Sequence, residues 1–354
     1  MPPLVLALDI GTSSVRSLLF DERGDRVEGS EAQREIELIT TADGGVEIEP
    51  VALLELAFAC LDETLRHSTR SIDAVGISCF WHSLMGVDAA GAPTTAVLMY
   101  SDTRSALDVA VLKAELNDDE VHDRTGCRLH ASYWPSKLRW LRRTRPEAVA
   151  RTARWLAFSD FLLERTHGFD ATSIAMAAAT GMMDVRAAAW DPAMIAATGV
   201  DPATLPAIVP LTPIECSLRL EFALRWPLLA NSRWIPGAGD GVCANIGAGA
   251  VSAERIALTI GTTGAIRVLI HLPEMAALAI PSDIFAYRID ENSVLLGAAI
   301  SNGGKLMAWL SELTGAELDG PIMEEAAALP PDSHGLTMLP FLTGERSPLW
   351  NDNV

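Results

Sequence analysis

The chain has 354 residues, and its 27 lysines and arginines against 46 aspartates and glutamates give a formal net charge of −19. Hydrophobic residues make up 49 % of the sequence, enough for full-sized cores, which excludes a globally disordered chain. An acidic chain repels nucleic acid and anionic lipid, so neither is expected as a partner. Any phosphate site must therefore build its positive potential locally. The length favours two domains.

The sequence predicts no membrane-spanning segment and no signal peptide. The best apolar run, residues 53–61, is short and interrupted by Glu55, whereas a spanning helix needs about 20 apolar residues. The N-terminus lacks a basic stretch, so we expect a cytoplasmic protein. The histidines show no ligand spacing, which argues against a zinc site. The cysteines form no CxxC pair and are odd in number, which predicts buried free thiols: Cys60, Cys79, Cys127, Cys216 and Cys243.

The first part of the chain predicts a layered α/β domain. Residues 4–8 and 17–20 are apolar runs typical of strands, and the chain from Val27 onward is predicted to return as a third strand of an antiparallel meander. Residues 50–67 are predicted to be helical, because a proline suits the first turn and the apolar residues fall on one stripe. Residues 74–78 follow as a buried strand, and this alternation implies an α/β fold.

The middle of the chain is predicted to consist of helices and loops. The helix candidates are residues 106–116, 136–143 and 160–166. The proline-rich stretch from 191 to 227 is predicted to be a small insertion and a connecting segment. Residues 234–241 then predict a strand that ends in a glycine-rich turn, and a helix is expected to start near Val242.

An internal repeat is the strongest organisational signal in the sequence. Residues 7–14 (ALDIGTSS) match residues 257–264 (ALTIGTTG) at a constant offset of 250. In both copies an apolar run leads into a short turn and then into a second apolar run. This pattern predicts a β-hairpin rather than the strand-to-helix turn of a P-loop. Two such hairpins are expected to face each other across a cleft.

The two hairpin turns are candidate phosphate sites. Gly11 and Gly261 are predicted to allow close approach of a ligand and dihedral angles closed to other residues. Arg16 can add a cation, and Asp9 is placed to hold a metal ion on the phosphates, whereas Thr259 replaces this acid in the second copy. The alternative is a pair of ordinary hairpin turns. Turn hydroxyls and amides can hold phosphate oxygens without net charge, here from Thr12, Ser13, Thr262 and Thr263.

Seven motifs, in order along the chain, resemble those of the FGGY family of carbohydrate kinases, and within it the gluconokinase branch. They are LDIGTSS (8–14), WHSLMGVD (81–88), YSDTRS (100–105), GMMD with WD (181–184, 190–191), GDGV with NIG (239–242, 245–247), IGTTGAIR (260–267) and GERSPLW (344–350). Two positions depart from the family pattern. Trp81 stands where gluconokinases commonly carry Met, and Tyr100 replaces the family's Trp.

The resemblance implies the duplicated α/β fold of the actin-like ATPases, which is ribonuclease H-like, with two domains around a deep cleft. The first domain is expected at residues 1–236, and a partial nucleotide-side domain at 237–354. ATP and Mg²⁺ are the implied cofactors. The resemblance assigns nucleotide phosphate to Asp9, Gly11, Thr12, Ser13 and Arg16, with Asp9 also holding the metal. It assigns the γ-phosphate to Gly261, Thr262 and Thr263.

Asp240 matches the catalytic base of the family. Phosphoryl transfer needs in-line positioning, charge neutralisation and a group that accepts the hydroxyl proton. A carboxylate at the end of a strand, in a glycine-flanked turn, can reach into a cleft and serve as that group. The alternative is that Asp240 is the N-cap of the helix expected near Val242, a position that Asp favours.

The resemblance also assigns the sugar site to Trp81, His82, Asp102, Arg104, Asp240 and Gly241. Asp102 can accept from two sugar hydroxyls, and Arg104 can bind a carboxylate through two parallel bonds, as gluconate would need. The alternatives are a structural role for His82 and an internal Asp102–Arg104 ion pair. Arg346, in the last motif, is expected to form a structural ion pair with Glu345.

The reaction implied by the resemblance is ATP-dependent phosphorylation of a sugar or sugar acid, with D-gluconate to 6-phosphogluconate expected first. A xylulokinase-like pentulose kinase and an inactive, truncated sugar-binding remnant are the alternatives. The sequence stops inside the last motif, whereas family members continue, so a C-terminally truncated kinase is expected, with apolar surface uncovered on residues 256–343. The expected partner is a small-molecule sugar, and a homodimer stays open.

Overall fold

A computed structural model describes residues 2–261, 263–300, 303–318, 320–338, 345–348 and 350. The strands are Val5–Ile10 (β1), Ser14–Phe20 (β2), Ala32–Glu35 (β3), Ile39–Thr40 (β4), Val46–Ile48 (β5), Ala74–Cys79 (β6), Met85–Val87 (β7), Val97–Leu98 (β8), Arg154–Leu156 (β9), Ala171–Ser173 (β10), Met183–Asp184 (β11), Ala189–Trp190 (β12), Ala207–Val209 (β13), Arg233–Trp234 (β14), Ala238–Gly239 (β15), Ile256–Ile260 (β16), Gly264–His271 (β17), Phe285–Arg288 (β18) and Ser293–Ile300 (β19). The α-helices are Pro50–Leu65 (α1), Ala106–Glu115 (α2), Asp118–Thr125 (α3), Trp134–Thr144 (α4), Pro146–Arg151 (α5), Phe158–His167 (α6), Ile174–Ala178 (α7), Pro192–Thr198 (α8), Leu220–Arg225 (α9), Asp240–Gly247 (α10), Lys305–Thr314 (α11) and Gly320–Ala328 (α12).

The first sheet has the strand order β14-β6-β1-β2-β3, and β15 also pairs with β6. The pairs β1–β2 and β2–β3 are antiparallel, which confirms the predicted meander. The third strand begins at Ala32 rather than near Val27, because the chain first makes a turn in which the Val27 amide donates to Leu19. Strands β6, β14 and β15 are parallel to one another, and β6 is parallel to β1.

Helix α1 covers one face of this first sheet. Its N-cap Glu49 accepts a hydrogen bond from the Ala52 amide, and Pro50 occupies the first turn, as predicted. The apolar stripe of the helix is buried on β1 and β2, and the Ser17 hydroxyl donates to the Cys60 carbonyl at 3.1 Å. The buried stripe consists of Leu53, Leu54, Ala57, Cys60, Leu61 and Leu65.

The second sheet is antiparallel, with the order β16-β17-β19-β18, and β16–β17 is the second predicted hairpin. The two hairpins differ in register by one residue. Ile10 pairs with Val15 across four residues, whereas Ile260 pairs with Gly264 across three. A slip of one residue turns every side chain of a strand to the other face. Residues of β17 therefore lie on the face opposite to that of their sequence matches in β2.

The outer face of the second hairpin is open to solvent. Its residues Ile256, Leu258 and Ile260 are 62 %, 68 % and 71 % exposed. Their matches in β1, Leu6 and Leu8 among them, are completely buried in the core that α1 closes. The uncovered apolar surface predicted from the sequence is therefore present on β16.

The helices predicted in the middle of the chain are confirmed, as α2, α4 and α6. Helices α3, α5, α7, α8 and α9 were missed, and so were the short strands β9–β13, because this region was predicted to hold only helices and loops. Helix α3 has a mostly polar sequence, but its N-cap Asn117 and its left-handed C-cap Gly126 are sequence signals of a helix. All five cysteines are free, and Cys216 is exposed rather than buried. Within the described ranges, no helix is both long and apolar enough to cross a membrane.

We expect the open face of β16 to drive self-association. Full burial of one large aliphatic side chain is worth roughly 1.5–3 kcal/mol, and three lie side by side here. Replacing Leu258 with Lys should therefore raise the concentration at which the chain associates by at least about tenfold, as measured by light scattering. Replacing the exposed Leu220 of α9 with Lys is the matched control and should change little. A wild-type chain that stays monomeric and binds no hydrophobic dye would contradict this expectation.

Candidate active site

Asp240 is placed by β15, which pairs with the end of β6 next to Cys79. It is the first residue of α10, and Gly239 is the N-cap, so the alternative that Asp240 itself is the N-cap is wrong. The helix also begins two residues before the expected Val242. The Gly241 amide donates to Oδ1 of Asp240 at 2.7 Å. This arrangement fixes one carboxylate oxygen and leaves the other for chemistry.

The carboxylate of Asp9 lies close to Asp240. Asp9 is near the end of β1, which is parallel to β6, so both strands end at the same edge. The Ser78 hydroxyl donates to Oδ1 of Asp9 at 2.7 Å. The surrounding protein raises the pKa of Asp240 even though its side chain is reached by solvent, and the charge of Asp9 adds to this rise. The Gly241 amide and the cation of Arg267 oppose it.

These two carboxylates fit a magnesium ion. Mg²⁺ prefers oxygen ligands and is commonly held by one or two carboxylates together with substrate phosphates and water. The hydrogen bond from Ser78 orients Asp9 without using its second oxygen. Asp9 is therefore the residue that would hold the metal, with Asp240 beside it.

The first phosphate turn differs from its predicted geometry. Gly11 does not have a positive φ, so conformational freedom does not explain it, although a Cβ there would lie 3.2 Å from the Ser14 carbonyl oxygen. Its amide donates to that same carbonyl at 3.0 Å and is used inside the turn. Thr12 is half-buried and Ser13 is exposed at the tip. Arg16 is exposed and lies opposite Asp9 in the β1–β2 register.

The second turn is similarly closed on itself. The Gly261 amide donates to the Thr263 carbonyl at 2.9 Å, and the Gly304 amide donates to the Gly261 carbonyl at 2.6 Å. Gly261 also lacks a positive φ, and a Cβ there would meet nothing within 4 Å. Thr262 lies outside the described residues, so its predicted role stays a prediction.

The indole of Trp81 forms one wall of the site beside Asp240. A Cβ at Gly239 would overlap the indole, and a Cβ at Gly241 would lie 2.6 Å from it. Trp81 is anchored by a 3.1 Å hydrogen bond from Nε1 to the Ala175 carbonyl, and its ring meets that of Tyr287 edge-on at 5.0 Å. The glycines that flank Asp240 are thus required by the close approach of Trp81.

His82 follows in a strained backbone conformation, with φ at 66°. Its Nδ1 donates to the Ala179 carbonyl at 2.6 Å, because a carbonyl can only accept, and Nε2 is left as an acceptor. Burial first, and then the charge of Arg346, holds the pKa of His82 well below its usual value. His82 is therefore a neutral ring that can accept a hydrogen bond from a hydroxyl.

Lys137, on α4, is a site residue that sequence reasoning missed. It is fully buried and donates from Nζ to the carbonyls of His82 at 3.0 Å and Ser132 at 2.8 Å. Burial lowers its pKa to about 7, and the charge of Asp102 opposes that effect. Its place on the same apolar helix face as Leu138 and Leu141 is the signal that could have identified it. Lys137 holds the strained carbonyl of His82 in place.

Two buried tyrosines, also missed, complete the aromatic side of the pocket. The hydroxyls of Tyr133 and Tyr287 are 2.8 Å apart, and both rings meet His82 edge-on, at 5.0 and 5.7 Å. Burial raises the pKa of both phenols, so they stay neutral donors. Tyr287 comes from β18 and Tyr133 is the N-cap of α4, so the contact connects the second sheet to this helix.

Asp102 and Arg104 form the internal ion pair that was the alternative to sugar binding. Nη2 of Arg104 bonds Oδ2 of Asp102 at 2.5 Å and Oε2 of Glu47 at 2.8 Å, and its side chain is 5 % exposed. The guanidinium also lies 4.4 Å above the ring of Trp140. Since this fork is already occupied by carboxylates, the geometry gives no support to Arg104 as the group that grips a sugar carboxylate.

Comparison with known proteins places these observations in a family. The profile described as "FGGY family of carbohydrate kinases, N-terminal domain" matches residues 4–247. The chain is 29 % identical to a gluconokinase of Bacillus subtilis, over the whole of this chain and 70 % of that protein.

Two solved structures resemble the whole chain. One is a gluconate kinase from Lactobacillus acidophilus, with a TM-score of 0.90 and 25 % identity, covering 100 % of this chain and 71 % of that one. The other is a ligand-bound xylulose kinase from the same organism, with a TM-score of 0.91 and 25 % identity, covering 99 % of this chain and 71 % of that one. The fold is therefore the α/β fold of sugar kinases, related to the actin-like ATPases.

The contact of Trp81 with Gly239 predicts that Gly239→Ala is destabilising. Gly239 has φ −65° and ψ 143°, which any residue adopts, so only the indole forbids a methyl group. We expect a loss of about 1–3 kcal/mol in the free energy of unfolding by urea denaturation. The loss should shrink in a Trp81→Met background. Gly247→Ala is the control, because nothing lies within 4 Å of its Cβ position. Equal effects at the two glycines would refute the role given to Trp81.

Proposed function

Because the chain belongs to the FGGY family of carbohydrate kinases, we propose that it transfers the γ-phosphate of ATP to a hydroxyl of D-gluconate, giving 6-phosphogluconate and ADP. The observation that carries the proposal is the placement of Asp240 at the start of α10, beside Asp9 and against Trp81. The similarity to gluconokinases over the whole chain supports gluconate as the substrate.

Asp240 acts as the general base in this proposal. The substrate hydroxyl oxygen attacks the γ-phosphorus, the bond from that phosphorus to the bridging oxygen of ADP breaks, and the hydroxyl proton passes to the carboxylate of Asp240. The raised pKa of Asp240 makes it a better proton acceptor. Its fixed oxygen, bonded to the Gly241 amide, orients the other one toward the substrate.

The remaining residues bind and orient the two substrates. His82 Nε2 accepts from a sugar hydroxyl, and Trp81 excludes water from one side of Asp240. Thr12, Ser13 and Thr263 hold the phosphates of ATP at the two turns, and Asp9 holds Mg²⁺. The metal, when bound, neutralises phosphate charge during transfer. Free cysteines suit a reducing compartment, which supports a cytoplasmic location.

Replacement of Asp240 by Asn should lower turnover by roughly 10²–10⁴-fold, because the amide keeps the size but accepts no proton. Gluconate affinity should stay largely unchanged in calorimetry. Wild-type turnover should fall as the pH drops through the raised pKa of Asp240, because the protonated acid cannot act as a base. Asp25→Asn, in the exposed turn after β2, is the control. Near-normal turnover in the Asp240 variant would show that Asp240 is not the general base.

The substrate is tested by ADP release with Mg-ATP and a panel of D-gluconate, D-xylulose and glycerol. We expect the highest kcat/KM with gluconate and loss of ADP release when EDTA removes the metal. Faster turnover of D-xylulose would contradict the assignment of gluconate as the substrate, but it would still support a kinase activity. Binding of gluconate without any ADP release would favour the inactive sugar-binding remnant.

A further inference from the structure

Arg267, on the second sheet, contacts the start of α10. It lies on β17 opposite Ala257 and on the same face as Thr259, to which Nη1 makes a long hydrogen bond of 3.4 Å. Its guanidinium packs on the start of α10, since a Cβ at Gly241 would lie 3.0 Å from Nε and 3.2 Å from Cζ. Arg267 and Trp81 therefore flank Gly241, next to Asp240.

A nitrogen of Arg267 is buried without any partner. Its Nε makes no hydrogen bond within the described part of the chain. The guanidinium also forms no ion pair with a described carboxylate, although the charge of Asp240 acts on it. An unpaired buried donor of this kind costs free energy in the unliganded protein. Such a donor is typical of a site that a ligand completes.

Arg346 has the same property and lies nearby. Its Nε is buried and has no partner among the described residues, and its Cζ lies 5.8 Å from the ring centre of Tyr100. The ion pair expected between Arg346 and Glu345 stays a prediction. Its charge acts on Arg267, His82 and Tyr287, which locates it on the aromatic side of the pocket.

Two neighbouring guanidinium groups, each with a buried Nε that has no hydrogen-bond partner among the described residues, favour binding of an anion. Arg104, in the YSDTRS motif, differs from these two arginines because its guanidinium is bonded to the carboxylates of both Asp102 and Glu47. Guanidinium groups bind carboxylates through short, charge-assisted bonds. The backbone of Arg267 is four residues beyond the turn residue Thr263, about 13 Å along an extended strand, and its side chain reaches back as far as Thr259.

We propose that Arg267 and Arg346 form the subsite that binds the carboxylate of the substrate and thereby select sugar acids over neutral sugars. This proposal rests on the function proposed above. It replaces Arg104 as the group that recognises the acid. Trp81, His82 and the two tyrosines then contact the polyol part, and Asp240 meets the hydroxyl that is phosphorylated.

The test compares D-gluconate with D-glucitol, which carries a CH₂OH group in place of the carboxylate. Calorimetry on the 354-residue chain should show Arg267→Met weakening gluconate by at least about 30-fold. D-glucitol affinity should stay almost constant. Arg267→Lys should keep part of the gluconate affinity, because it keeps the charge and loses the fork. Arg255→Met, which removes an exposed cation of the same domain, should change neither ligand.

Three outcomes would overturn the subsite. Equal weakening of both ligands by Arg267→Met would make the residue structural. Unchanged gluconate affinity with loss of ADP release at saturating gluconate would make it a phosphoryl-transfer residue. A wild-type chain that binds neither D-gluconate nor D-glucitol would show that this subsite does not exist. Failure of the proposed kinase function has a different signature, namely Arg267-dependent gluconate binding with no ADP release from Mg-ATP.

Discussion

The packing of the Trp81 indole against the backbone at Gly239 and Gly241 is the contact on which the site depends. It fixes the crossing from β15 into α10 and thereby the direction of the Asp240 carboxylate. The same indole is tied to α7 through Ala175 and to β18 through Tyr287, so both sheets contribute to its position. A packed interior resists even one extra methyl group, so this contact leaves no room for a side chain at either glycine. The backbone is therefore held in one position, and the Asp240 carboxylate with it.

Charge is distributed very unevenly in this acidic protein. Most partly buried arginines have carboxylate partners, as Arg104 does with Asp102 and Glu47. The candidate site is the exception, since Arg267 and Arg346 bring cations together near a neutral His82 and near Lys137, whose pKa is lowered by burial. Because the chain as a whole is acidic, a site for anions needs its own local positive potential. Buried guanidinium groups, rather than surface lysines, provide that potential here. Burial makes each of these charges act strongly over a short range.

The strands β1, β2 and β6 and the helices α1, α2, α4, α6 and α10 could be predicted because local sequence periodicity and turn residues indicate them. The hairpins β1–β2 and β16–β17 lie where the repeat indicated. The partners of individual side chains could not. Glu47 meets Arg104 across 57 positions, and Lys137 meets the carbonyl of His82 across 55. The left-handed backbone of His82 has no sequence signature, since histidine rarely adopts it. The positions of the two glycine-containing turns were predicted correctly. The reason given for the glycines, dihedral angles closed to other residues, does not hold, because neither Gly11 nor Gly261 has a positive φ.

The one-residue difference in register between the two hairpins has a consequence for how duplicated units diverge. By sequence, Arg267 matches Ser17, which is completely buried under α1. With the shorter turn, β17 presents the opposite set of side chains to the cleft, and the arginine comes with it. A one-residue change in hairpin register can thus supply a recognition residue to one copy of a repeat without any insertion or deletion in the sequence. Alignment by identity alone would compare residues that face opposite ways.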